Sequence, residues 1–211
     1  MLNAFNDSID VNKLSGVLNS FRELIDQSYD IGTKLNQRGI ADYIEAVVIE
    51  KAQQLYGKCC VLKSSKKGME DLSIISSTGV SLIDVKSHNI DSDFSMPNLT
   101  AIEKLVKLYK CQYNTEFYYL FIEYNVVDDI VTILDINLCQ PHNISWECLS
   151  IANLGLGQLQ IKDMSKLQLD FSLDKNTWFS VFISKVVAFK YKTAEKLLAS
   201  IDRWESLDVK K

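Results

Sequence analysis

A mixed α/β (α+β) chain, in the order helix, three strands, helix, strand, is predicted by three observations. Two N-terminal stretches carry apolar residues at helical spacing, and three strand-like runs follow between residues 59 and 86. A further helical pattern then leads into a run rich in aromatic and branched residues.

Leu14, Val17, Leu18, Phe21, Leu24 and Ile25 share one helical face, expected over about residues 10–30. Ile40, Tyr43, Ile44, Val47, Val48 and Leu55 do the same after Gly39. CCVLK, DLSIIS and VSLIDVK read as strands, the last two joined by STG as a hairpin turn. Thr100 with Glu103 three positions on reads as a capping box for a helix carrying Ile102, Leu105, Val106 and Tyr109. EFYYLFIEYN follows as a strand with DIVTILDI as its hairpin partner, and GQLQIKD is a short alternating run. A long helix over about residues 174–206 closes the chain, with Trp178, Phe182, Lys185, Phe189, Leu197 and Ile201 at helical spacing.

The 211 residues are 47% hydrophobic and 24% charged, with two prolines and no repeat or linker composition, so one domain over residues 1–211 is expected. The opening MLNAFNDSIDVNKL carries acids where a signal peptide carries bases, and no apolar run reaches the roughly 18 residues of a membrane span. A soluble, cytoplasmic protein without a membrane partner is expected. Cys59, Cys60, Cys111, Cys139 and Cys148 show no paired CxxC spacing and read as reduced core residues, with a zinc site as the alternative. The net charge of −4 does not exclude a nucleic-acid partner, because local patches set the field that phosphates meet. KCCVLKSSKKG carries Lys58, Lys63, Lys66 and Lys67 without an acid, and reads either as a solvated loop or as a phosphate-facing one.

The stretch SLIDVKSHN holds the candidate chemistry. Residues two apart share a strand face, so Asp84 and Lys86 stand side by side while Ile83 and Val85 face away. With Ser77 and Thr78 closing the turn, Ile75 faces Val80, and counting outward sets Asp71 opposite Asp84, about 5 Å apart at Cβ. Two carboxylates so placed repel unless a cation lies between them, and magnesium takes one or two carboxylates plus water and phosphate oxygens. Lys86 on the same face completes a set suited to phosphodiester hydrolysis. An acid-x-base triplet alone proves nothing, since 27 acids and 23 bases in 211 residues yield about three by chance. Asp208-Val209-Lys210 repeats DVK with no strand before it and no facing acid.

Glu70-Asp71, with Asp84-Val85-Lys86 beginning thirteen positions after Asp71, resembles the signature of the PD-(D/E)xK nucleases. LIDVKSHNIDSDFSMPNLTAIEKL is similar to the matching segment of the HincII-like (EcoRV-like) branch of type II restriction endonucleases, as GQLQIKDM is to a later strand of it. The resemblance implies a restriction-endonuclease-like core, a central mixed β-sheet flanked by helices (αβββαβ). It implies a Mg2+-dependent, sequence-specific endonuclease cutting double-stranded DNA at a short palindromic site, with blunt ends and 5′-phosphates, as a homodimer with a companion DNA methyltransferase. By the same resemblance Asp71 and Asp84 are metal carboxylates, the Val85 carbonyl a further ligand, and Lys86 the general-base or water-positioning residue. Glu45 matches an acid that some members place near the metal, or is an exposed helix carboxylate. Asn89, Ser95, Pro97 and Asn98 fall where that branch approaches the bases; Gln158 and Gln160, on one strand face, either read bases or form its wet side. The chain departs from that branch at Ser95 and Met96, which stand in place of glutamine and alanine, so no recognition sequence is implied. The first helix offers a dimer seam or packs within the monomer. Alternatives are a structure- or mismatch-directed repair or recombination nuclease on the same core, and a non-catalytic DNA-binding protein.

Overall fold

The computed structural model describes residues 19–208 apart from 33–34, 65–67, 78, 93–96 and 111–113. In chain order its elements are β1 (Ser28–Asp30), α1 (Gln37–Tyr56), β2 (Val61–Lys63), β3 (Leu72–Ser76), β4 (Gly79–Asn89) and β5 (Asn98–Ala101). Then come α2 (Ile102–Tyr109), β6 (Thr115–Val127), β7 (Ile130–Cys139), β8 (Leu149–Ala152), β9 (Gln158–Ile161) and α3 (Lys175–Asp208). Six strands form one mixed sheet in the order β1-β7-β6-β4-β3-β2, and β5-β9-β8 form a second sheet. Only β4 and β6 run parallel in the large sheet, joined through β5 and α2, as a parallel pair requires a crossover. The order helix, three strands, helix, strand survives as α1, β2–β4, α2 and β6, with helices on the faces of a mixed sheet, the restriction-endonuclease-like arrangement expected.

β6 lies at the centre, and its sequence shows why. Tyr118, Leu120, Ile122 and Tyr124 pack with Ile44 and Val48 of α1, while Phe117, Tyr119 and Phe121 pack on the other side with α2, the small sheet and the start of α3. A strand buried on both faces needs a continuous apolar run, which FYYLFI supplies. α1 begins at Asn36, whose Oδ1 accepts from the Gly39 amide at 2.9 Å, so Gly39 lies in its first turn. α3 begins beyond Asp174, whose carboxylate accepts from the Thr177 amide at 2.7 Å, and Trp178 and Phe182 are buried against α2 and the small sheet.

Three expectations change. The first helix was expected over about residues 10–30, but helix ends at residue 22, a turn follows, and residues 28–30 form β1 on the edge of the large sheet. The reversal comes at Asp26, which takes φ 63° while its amide donates to the Ile133 carbonyl at 2.9 Å. Phe21 and Leu24 are buried in the same core as α1, so this end packs within the monomer; Leu14, Val17 and Leu18 lie outside the described residues. Thr100 does not cap α2: it lies in β5, buried, and its hydroxyl accepts from the Tyr119 hydroxyl at 2.9 Å. Cys139 and Cys148 are buried, whereas Cys59 is exposed and Cys60 half-buried, because both sit in the turn before β2; Cys111 is outside the described residues. No described helix is long and apolar enough to cross a membrane.

Candidate active site

The β3–β4 ladder stops at Leu72↔Ile83, whereas β4 continues beside β6 as far as Asn89↔Tyr124. Residues 84–89 thus run past the end of β3. Asp71 stands at the bend there, its amide donating to the Ile83 carbonyl at 2.9 Å and its carboxylate accepting from the Val85 amide at 2.7 Å. It lies beside Asp84, as the register implies, but one step outside the ladder rather than in a paired position. The N–H and C=O of one residue point to the same edge of a strand, so the Val85 carbonyl faces the Asp71 side as well.

Asp84 is 4% exposed, and Lys86 Nζ donates to its Oδ1 at 2.7 Å. Burial pushes its pKa up to about 7; Lys86 opposes the shift and the neighbouring Asp71 adds to it. A carboxyl that holds a proton near neutrality is one that a cation can relieve by displacing the proton. The donors are hard oxygens: two carboxylates and one carbonyl. Among the described residues no group of three or more His, Cys, Asp and Glu side chains is arranged for a metal ion. Hard oxygens of this kind suit magnesium, which keeps positions for water and phosphate.

Asp71, Asp84 and Lys86 line a cleft of about 570 Å³. Glu45 reaches it from α1, paired with Lys63 of β2 at 3.2 Å, and Gln158 reaches it from β9. Glu70 lines it too, but its carboxylate is held by the Ser64 hydroxyl at 2.9 Å and the Met69 amide at 3.0 Å. Asn98 pairs with Gln160 across β5 and β9, beside the cleft wall. Asn89 and Pro97 line a separate cavity of about 100 Å³ with Gln37, His88, Ser92 and Tyr124. The Asn89 side chain accepts from the Asp91 amide at 3.0 Å, closing a local turn. Ser95 lies outside the described residues, as do Lys66 and Lys67.

Arg38, Asp42 and Lys104 also line the cleft and were not singled out from the sequence. For the first two a signal existed: Arg38, Asp42 and Glu45 recur at i, i+4 and i+7, one polar face of α1 opposite Ile40, Ile44 and Val48. Lys104 carried none, since only tertiary packing brings its amine to the Gly68 carbonyl, 2.9 Å away.

No family model matches the sequence, and no curated protein matches it. Among solved structures it is similar to NlaIV restriction endonuclease, with 14% sequence identity and a TM-score of 0.48, over 78% of this chain and 70% of that one. The functional reading rests on the site's own residues.

Proposed function

We propose that the chain is a magnesium-dependent type II restriction endonuclease of the HincII-like branch, one domain over residues 1–211, hydrolysing phosphodiester bonds in double-stranded DNA. The carrying observation is the convergence of Asp71, Asp84 and Lys86 where β4 outruns β3, in a cleft also lined by Arg38, Lys63 and Lys104, with the Val85 amide bonded to the Asp71 carboxylate beside it. Asp71, Asp84 and the Val85 carbonyl would hold the ion. The chemistry a bound Mg2+ supplies is acidification of water and compensation of charge on the phosphate. Lys86 orients the attacking water and donates toward the phosphate as negative charge builds on it. Glu45 stands on the α1 wall to steady that water's approach, and the cleft's cations take flanking phosphates and fix the register of the duplex. Asn98, Gln158 and Gln160 carry side-chain amides able to donate and accept on one base edge, the geometry suited to adenine, with Asn89 and Pro97 bounding the approach.

A short palindromic site, cut at its centre to blunt ends with 5′-phosphates, calls for a two-fold protein, hence a homodimer. A companion methyltransferase acting on the same site would protect cytoplasmic DNA. The test is incubation with long unmethylated duplex DNA in magnesium and in EDTA. Discrete magnesium-dependent bands are expected, with Asp84→Ala and Lys86→Ala each slowing cleavage about 10²–10⁴-fold. A smear would replace the reading with a structure-directed nuclease, and uncut but shifted DNA with a non-catalytic binder.

A further inference from the structure

α3 outruns the body of the protein. Its last contacts with the β8–β9 loop are Lys190 Nζ to the Leu156 carbonyl at 2.8 Å and Thr193 Oγ1 to Asn153 Oδ1 at 3.5 Å. Beyond them residues 194–208 extend for about 22 Å at 1.5 Å per residue, and of the residues over 194–207 all but Ser200 are exposed. This overhang is not polar all round. Ala194, Leu197, Leu198, Ile201 and Trp204 keep the i, i+3, i+4, i+7 spacing of a buried stripe, and Tyr191 extends it toward the body. Leu197 is 62% exposed and Trp204 64% exposed, and exposed Leu154 and Leu156 lie on the loop where the stripe leaves the body. A contiguous apolar face of this kind marks an interaction surface.

The charges beside the stripe identify the occupant. Lys185, Lys190, Lys192 and Lys196 precede or begin the overhang with Glu195 the one acid among them. Asp202 and Glu205 follow, with Arg203 the one base between them. The acidic end excludes a nucleic-acid backbone. A second copy of α3 laid antiparallel sets each basic segment against the partner's acidic one, whereas a parallel copy sets like on like. We infer that the distal half of α3 is the seam of a two-fold dimer in which two copies of this helix pair antiparallel. Six apolar residues per copy, Tyr191 and Trp204 among them, supply large aromatic area to a small specific interface. The seam deepens the two-fold part of the proposed function, and it is measured without DNA or metal, so its failure would leave the hydrolytic reading standing.

The test is sedimentation of the full chain in EDTA. The expected mass is twice the 24.0 kDa of one chain. Leu197→Asp with Ile201→Asp should give monomers that still unfold cooperatively in urea. Lys192→Glu with Lys196→Glu should weaken the dimer at least about tenfold, and adding Asp202→Lys with Glu205→Lys should restore it. A monomeric wild type, or a dimer indifferent to the aspartate pair, would overturn the seam. A dimer lost on the first charge reversal and not regained on the second would overturn the antiparallel pairing.

Discussion

At Asp84 burial of a carboxyl works against folding. The carboxyl is 4% exposed and its pKa is pushed from 3.8 up to about 7, burial being the main cause. The folded chain therefore holds this proton more tightly than the unfolded one. Stability from this group is greatest below about pH 4, declines as pH rises toward 7, and is level above it. The decline is at most about 4 kcal/mol at 1.36 kcal/mol per unit. Asp84→Asn keeps the shape and removes the charge, so in EDTA it should stabilise the protein above pH 7 by up to that amount and by almost nothing near pH 4. Urea midpoints across that range decide it; a gain of the same size at every pH would show that ionisation is not its source. Asp71, Asp84 and Lys86 were legible because a period of two and a hairpin turn fix which side chains meet. Lys104 was not, because no local pattern joins α2 to the end of β3.

At the scale of elements, the β3–β4 hairpin was readable to the residue: Ile75 faces Val80 as the turn spacing predicts. What the turn did not reveal is the bend at Asp71, which arises where β3 ends and β4 keeps β6 as its only ladder partner over residues 84–89. Thr100 was misread for a related reason. Its spacing from Glu103 suits a cap, but the Tyr119 hydroxyl outcompetes the helix for it and ties β6 to β5 across the site. Tyr119→Phe should then cost about 1 kcal/mol, the worth of one hydrogen bond, more if the Thr100 hydroxyl stays buried without a donor. An unchanged urea midpoint would mean that water replaces the tyrosine. Gly79 sets the other end of β4. A Cβ there would lie 2.3 Å from the Asn114 carbonyl oxygen, which already accepts from the Val80 amide at 3.0 Å. Gly79→Ala must part β4 from the start of β6, at a cost of about 1–3 kcal/mol. Since the same strand carries Asp84 and Lys86, cleavage should fall along with the denaturation midpoint; a loss of stability with full activity would show that the site is held from the β6 side alone.

The whole molecule is an anion, with a net charge of −4, and the partner proposed for it is a polyanion. Long-range attraction to DNA is therefore not available from total charge, and the proposed binding would have to draw on the cations lining the cleft against the repulsion of Asp71, Asp84, Asp42 and Glu45 beside them. On the proposed reading, a divalent cation held by Asp71 and Asp84 would reverse the sign of the field where the scissile phosphate would lie. Calcium, a hard oxygen-seeking ion that fits the same donors, should then tighten binding of duplex DNA without cutting it, by at least about tenfold or 1.4 kcal/mol. Asp84→Ala removes one donor and the buried charge together, so the ratio of affinities in calcium and in EDTA should fall to about one. The variant should also bind DNA in EDTA at least as well as the wild type, because a repulsive carboxylate has gone. Fluorescence anisotropy with a duplex carrying a cleavable site measures all four affinities. If Asp84→Ala keeps the calcium enhancement, the ion that matters sits elsewhere, and the pairing of Asp71 with Asp84 at the end of β3 is an architectural feature rather than a catalytic one.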